Sequence, residues 1–530
     1  MKSKLLGISL LTLTCLYGLL AGIVILVVKL LGGEVMFGIT VGIIILVIQF
    51  LISPWLTDLT MRLFYKADFK AELPEYLKSF LFDECKKYSM KNPRVAVIDD
   101  GGPNAFTYGR TKNDARIVIT RGIYELLTED EVKAVVAHEL GHVVHYDMLF
   151  MTAVQIVPLV LYAIYEAFAK NNNSSNNNDN NKAAAIGWVA YILYLISQYI
   201  VLWLSRTREY YADEFSLEET KNPNSLASAL VKIGFGLSTA ETKGKHDVNR
   251  KNALGIFDSA TSKSLVVSCT DENNQISESH IKNAMKWEMW NPWALWFEFN
   301  STHPLISKRL LAISKRSEEF HQRPFIIFDL EKPESYVDDF FIELLIKFAP
   351  TLCVILTVIA IIVFPEKMVL AIGIGLLLTV LTAYIGFNRA HKNKDYNETT
   401  VRDLLGEVKV SHVTSIPCIL TGTIIGRGNP GCIFNEDFIV KDKTGIIFLD
   451  YNQPLKILDK IFAIFKSKEY FDKEVTVKGW YRRSPVPYVE IKTMEIDGKV
   501  KKIWTYGLSK ALYYIIFAVL AVFLVIVFTI

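Results

Sequence analysis

Cysteine is scarce and scattered. Six occur in 530 residues (Cys15, Cys85, Cys269, Cys353, Cys418 and Cys432), none in a Cys-X-X-Cys pair, which argues against both a disulfide framework and a cysteine-built metal site. Charge imbalance is also missing: 58 basic against 55 acidic residues leave +3, so the chain as a whole lacks the polyelectrolyte character that points to nucleic acid. Histidine is sparse as well, nine in the whole chain. What is abundant is apolar: 51% of residues are hydrophobic, more than a single soluble globule usually carries, and this puts the chain in the membrane class.

Seven apolar runs are long enough, or nearly so, to cross a hydrocarbon core of about 30 Å. They span Leu5–Val28, Met36–Leu56, Met148–Phe168, Ala183–Leu204, Ile342–Phe364, Met368–Phe387 and Ala511–Ile530. The first is too long for a signal-peptide core and lacks a small-X-small cleavage site, so it is expected to stay as an anchor. Basic residues flank alternate ends: Lys2 and Lys4, then Arg62, Lys66 and Lys70, then Arg206 and Arg208, then Arg389, Lys392 and Lys394. All fall on one side if every span is real, and the positive-inside bias makes that side cytoplasmic. The asparagine-rich tract Lys170–Lys182 reads as a flexible external loop. The expected division is therefore membrane helices at 1–56, 148–204, 342–387 and 511–530, with aqueous segments at 57–147, 205–341 and 388–510.

The stretch VVAHELGHVVHYDMLF, residues 135–150, carries the chemistry. Thr128 and Glu131 read as a capping box opening a helix whose apolar positions Val132, Val135, Val136, Leu140 and Val143 repeat with helical spacing. His138 and His142, four apart, then share one face, the geometry two imidazoles need for a single Zn²⁺, while Glu139 is turned by about 100° and suits the role of general base. Chance would supply only about 0.01 copies of this pattern in such a chain. A hydrolytic zinc site needs a third protein ligand, and SRTREYYADEF, residues 205–215, offers Glu209, with Asp213 four residues on to hold a ligand histidine's far nitrogen. Two spans separate Glu209 from His142, so a membrane hairpin returns both helices to the same face of the bilayer.

With HELGH at His138–His142, REYYAD around Glu209, NAFTYG at Asn104–Gly109 and THPLISKR at Thr302–Arg309, the chain resembles the HtpX family of membrane-bound zinc metalloproteases. It is also similar in catalytic pattern to the CAAX prenyl proteases. The likeness covers about residues 1–325. The resemblance implies a multi-pass α-helical membrane protein whose protease domain is mainly α with a small edge sheet. The implied activity is an endopeptidase with one catalytic Zn²⁺, cleaving misfolded or membrane proteins from the cytoplasmic side, in a plasma membrane of prokaryotic type. It assigns His138, His142 and Glu209 to the metal and Glu139 to proton transfer, and gives His303 the oxyanion of the tetrahedral intermediate. Arg309 is set to brace the acids around the metal, and Asn104, Ala105 and Phe106 to lie on an edge strand along which a peptide substrate is laid. A CAAX-processing enzyme and a catalytically silent zinc scaffold remain as alternatives.

Beyond the resemblance lie three further spans and a soluble segment. Residues 417–426, 437–445, 445–451, 475–483 and 488–496 alternate like strands, with a helical stretch at 458–466, the order of an OB-fold barrel. Arg427, Lys478, Trp480, Arg482 and Arg483 offer charge and stacking, but basic residues beside an inner leaflet have their own electrostatic reason to be there. A substrate-recruiting or regulatory module is favoured over nucleic-acid binding on fold-level analogy alone.

Overall fold

The structure is a computed structural model of the chain, and it describes residues 48, 51–63, 65–99, 103–170, 178–240, 278–328, 334–427, 437–452, 467–484 and 486–529. The first expected span, most of the second, and the helical stretch 458–466 lie outside the described residues. Among those residues, five helices are long and apolar enough to cross a membrane: Asp147–Phe168, Ala184–Thr220, Val337–Val363, Pro365–Ala390 and Trp504–Phe523. Their outward faces leave Leu356, Ile362 and Val525 largely exposed, as suits contact with lipid.

The chain divides into two compact units. The first comprises residues 1–240, 249–258 and 298–327. After a helical stretch at residues 51–63, its described part continues with helix α1 (Glu75–Lys87) and a three-stranded sheet of β1 (Arg94–Ile98), β2 (Ala105–Gly109) and β3 (Ala115–Thr120), in the order β1-β3-β2. Strand β3 is buried throughout, so it sits centrally, and β2 has one edge unpaired among the described residues. Helices α2 (Arg121–Leu126) and α3 (Glu129–Val144) follow. Helices α4 (Asp147–Tyr165) and α5 (Asn178–Thr220) then make the hairpin, packed through Val154, Val157, Leu161, Ala190, Val201 and Leu204. Helices α6 (Pro223–Ala240) and, after the part of the chain that belongs to the second unit, α9 (Ile306–Glu319) complete this unit.

Helix α5 runs unbroken for 43 residues from the membrane hairpin into the metal-ligand region. Helix α3 does not. It stops at Val144, and Tyr146 adopts φ +59°, a left-handed turn that redirects the chain before α4 begins at Asp147.

The second unit holds residues 241–248, 259–297 and 328–530. It contains α7 (Glu278–Trp290), most of α8 (Pro292–Phe299), the hairpin of α10 (Val337–Val363) and α11 (Met368–Ala390), and then a short strand β4 (Asn397–Glu398) and α12 (Val401–Gly406). The strands β5 (Ile416–Arg427), β6 (Phe438–Lys441), β7 (Ile446–Asp450), β8 (Glu474–Ser484) and β9 (Val486–Ile496) close into a barrel around Leu420, Val440, Leu449, Val477 and Val489. Pairing runs β5-β6-β7-β9-β8 and back to β5, with β7 and β9 parallel and every other pair antiparallel. A short β10 (Lys499–Lys502) extends β9, and α13 (Trp504–Thr529) ends the chain.

Residues 278–297 fall with this unit although they precede α9, because buried side chains tie them there. Trp287 donates through Nε1 to the Val410 carbonyl at 2.7 Å, Asn291 donates to Val408 at 2.8 Å, and Trp293 donates to the Glu343 carboxylate at 2.5 Å. Three of the barrel's basic and aromatic side chains are also committed internally. Trp480 and Arg483 are fully buried, and Arg482 pairs with Glu490 at 2.7 Å, so these three present no surface on which a base would stack.

Candidate metal centre and active site

Helix α3 is fixed at its start before it reaches the histidines. The Thr128 hydroxyl accepts from the Glu131 backbone N–H while the Glu131 carboxylate accepts from Thr128 N–H at 2.8 Å, a complete capping box. Glu131 also receives the Ser228 hydroxyl at 2.6 Å and the Lys232 ammonium at 2.7 Å, both from α6. Burial opposes its ionisation, yet Lys232, Ser228 and the Thr128 N–H together hold its carboxyl below the usual range. Further along, α3 and α5 meet closely: Ser216 donates to the Ala134 carbonyl at 2.6 Å, and a Cβ added to Gly141 would lie 3.1 Å from Ala212 Cα. Any side chain there would require α5 to give way by a few tenths of an ångström or more.

This contact brings His138, His142 and Glu209 together, one donor atom from each lying within 4.8 Å of the others. The His138 Nε2 is 3.7 Å from one Glu209 oxygen, and the His142 Nε2 is 3.7 Å from the other. Both separations exceed a hydrogen bond and suit a shared ion between them. The remaining ring nitrogens face aspartates: His138 Nδ1 lies 2.9 Å from Asp213, and His142 Nδ1 meets Asp147 at 2.6 Å. Each aspartate thereby favours the tautomer that turns Nε2 inward. Buried His138 Nε2 has no hydrogen-bond partner, and such an orphan at the focus of two imidazoles and a carboxylate fits a metal cation.

Asp213 is gripped by Arg309 of α9, with Nε and Nη2 giving 2.9 and 2.6 Å bonds to its two oxygens and Nη1 standing 3.5 Å from Glu209. Burial alone would make the guanidinium easier to deprotonate, but Asp213 and Glu209 outweigh this and keep it charged. His303, between α8 and α9, lies with Nδ1 3.2 Å from Glu209. Glu139, 3% exposed, accepts the Thr107 hydroxyl from β2 at 2.7 Å. Asn104 precedes β2 and pairs with Thr120, while Ala105 is fully buried and Phe106 nearly so. Phe106, Thr107, Glu139, His142, Glu209 and His303 all border one cavity of about 530 Å³.

Asp147, absent from the expected site, is therefore part of it. It also ion-pairs with Arg208 of α5, and both are buried. No helical periodicity places a residue five positions past His142 beside that ring; the left-handed turn at Tyr146 does. Its one sequence signal is an acid standing at the first position of an apolar run.

Comparison with known proteins bears on the same residues. The family described as Peptidase family M48 matches residues 70–317. A Protease HtpX homolog of Methanothermobacter thermautotrophicus is 39% identical over 238 residues, covering 44% of this chain and 87% of that protein. The chain belongs to peptidase family M48. Another relative, the Protease HtpX homolog of Aeropyrum pernix, is 28% identical over 267 residues, 49% of this chain and 79% of its own length. The crystal structure of S. mikatae Ste24p aligns with a TM-score of 0.34 and 19% identity, covering 59% of this chain and 67% of that one. With its M48 domain, its His-His-Glu cluster and its apolar helices, the chain is a membrane metalloprotease.

Proposed function

We propose that this M48 protease is a zinc-dependent endopeptidase that cuts membrane or misfolded proteins at the cytoplasmic face of a prokaryotic plasma membrane. The observation that carries the reading is the convergence of His138 Nε2, His142 Nε2 and the Glu209 carboxylate, with both outer nitrogens held by aspartates. Two imidazoles and one carboxylate form the donor set of a hydrolytic zinc site with a position left open. A zinc ion held there would acidify water and polarise the scissile carbonyl.

Glu139 is the proton carrier in this scheme: it takes a proton from the attacking water and returns it to the leaving amine. Its hydrogen bond from Thr107 orients the carboxylate toward the cavity. His303, across the cavity, donates to the oxyanion that forms on the carbonyl. Arg309 keeps Asp213, and through it His138, in place. The open edge of β2, from Asn104 through Ala105 and Phe106, supports an extended substrate by backbone pairing, which needs little sequence preference. Basic flanks such as Arg206 and Arg389, each at the exit of a hairpin, support the cytoplasmic assignment. In the second unit, the closed five-stranded barrel with β7 parallel to β9 supports an OB-like reading, in which the module recruits or regulates substrate, on analogy of fold alone.

The deciding experiment is cleavage of an unfolded protein and of a detergent-solubilised membrane protein by the purified chain and by Glu139→Gln, with zinc content measured. Zinc retained in both and turnover lost by a factor of about 10² to 10⁴ in the variant is expected. Equal turnover in both would remove Glu139 from the mechanism. Zinc binding with no cleavage by either would make the site a structural one.

A further inference from the structure

The cavity at the site does not end at the metal ligands. It continues down the membrane hairpin between α4 and α5, bordered by Met151, Gln155 and Leu159 on one helix and Gln198 and Leu202 on the other. Gln155 stands eight residues beyond Asp147 and Gln198 eleven before Glu209, which at a helical rise of ~1.5 Å per residue is roughly 12 Å along α4 from Asp147 and roughly 16 Å along α5 from Glu209. Both glutamines thus lie within the helices read as membrane-crossing.

Their surroundings give them little to bind. Gln155 is exposed and Gln198 half-buried, and neither carboxamide has a hydrogen-bond partner among the described residues. An unpaired amide in hydrocarbon is unfavourable, so two of them facing one cleft are poorly explained by packing. Pro158 borders the same cleft and, lacking an N–H, cannot donate to the carbonyl of Val154, which adds an acceptor at this depth. Alongside these polar groups, Met151, Leu159 and Leu202 offer apolar wall.

A substrate exists whose needs match this mixture. A protease edge strand takes its substrate extended, and a segment unwound from a membrane helix bares backbone N–H and C=O groups that lipid cannot satisfy. A carboxamide supplies both donors and an acceptor, stays neutral at every pH, and so can serve either backbone group without carrying charge into the bilayer. A soluble unfolded chain, its backbone already hydrated, has no such requirement.

We propose that the hairpin cleft is the specificity subsite of the enzyme, taking the apolar segment next to the scissile bond of a membrane-embedded substrate, with Gln155 and Gln198 hydrogen-bonding its exposed backbone. The inference rests on the protease reading above and names its substrate class. Selectivity for membrane proteins is then built into α4 and α5 themselves.

The test uses the full chain in phosphatidylcholine and phosphatidylglycerol vesicles with two reporters. One carries a cleavable linker beside a leucine- and alanine-rich span of about 20 residues; the other is the same linker without the span. The double variant Gln155→Leu, Gln198→Leu is expected to raise KM for the spanned reporter by about tenfold more than for the spanless one, with kcat changed less than KM. Equal losses on both reporters, or no loss on either, would overturn the proposal. A second measurement needs no turnover: in Glu139→Gln, a photo-reactive phenylalanine analogue at Leu159 is expected to cross-link to the span of the substrate, and cross-linking only to lipid would overturn the subsite. If the unaltered chain cuts neither reporter, the protease reading fails, and the cross-link still decides the subsite.

Discussion

His138 and His142 each give up Nδ1 to an aspartate, and the two aspartates are supported differently. Asp213 is held by the two-pronged grip of Arg309, whereas Asp147 is neutralised by Arg208 across the hairpin. A carboxylate on the outer nitrogen orients the ring and strengthens Nε2 as a donor, and losing such a partner weakens metal binding by roughly 10–100-fold. Asp147→Asn is therefore expected to lower zinc affinity by about that factor, measured by chelator competition, with Glu139 and its Thr107 bond untouched. Unchanged affinity would reduce Asp147 to a counter-charge for Arg208. His138, His142 and Glu139 were legible as a motif because all three lie within one helical turn. Asp147 was not, because its approach to His142 is made by a backbone turn and not by a period.

At the level of elements, the closeness of α3 and α5 decides whether three ligands become one site. Gly141, inside the HELGH motif, faces Ala212 Cα at 3.1 Å and Phe215 Cβ at 3.2 Å from a built Cβ position. Helix propensity alone would favour a larger residue there by about 1 kcal/mol over glycine. Packing wins: Gly141→Leu is expected to push α5 away, displace Glu209 from the histidines and cut kcat by about 10²-fold or more, as a shift of ~1 Å near reacting groups does. Zinc content and peptide turnover measured together check this, and an active, zinc-loaded leucine variant would show that the helices have slack. Nothing in the spacing of the motif singles out Gly141; only the partner helix shows why a side chain there is crowded.

At the scale of the whole molecule, a buried histidine of the second unit ties stability to pH. In the second unit the His412 imidazole packs edge-on against Trp293 at 4.3 Å, and neither ring nitrogen has a hydrogen-bond partner among the described residues. Burial first, then Lys347 and Arg482, pull its pKa down to about 4 from an ordinary value near 6.5. Between those values the unfolded chain binds the proton and the folded one does not, so stability rises with pH across the window. The contribution is complete above about 6.5 and is lost progressively as pH falls toward 4. Thermal unfolding of the purified chain in detergent is expected to show this slope, and His412→Leu to flatten it. A slope unchanged in the variant would assign the acid sensitivity elsewhere.

The linear chain by itself determined the apolar runs of the described helices, the capped helix with its two histidines, the acidic pair four residues apart on the returning helix, and the strand alternation of the barrel. Each of these is a local period or spacing, readable because helix and strand repeat every 3.6 and 2 residues. Tertiary structure alone decided the rest: that Asp147 turns back to His142, that residues 278–297 bury Trp287 and Trp293 in the second unit, that Trp480 and Arg483 point inward, and that the cavity descends between α4 and α5. Those facts depend on which surfaces meet across many residues of chain. Such meetings are settled by shape, burial and the pairing of polar groups, none of which leaves a periodic trace in sequence.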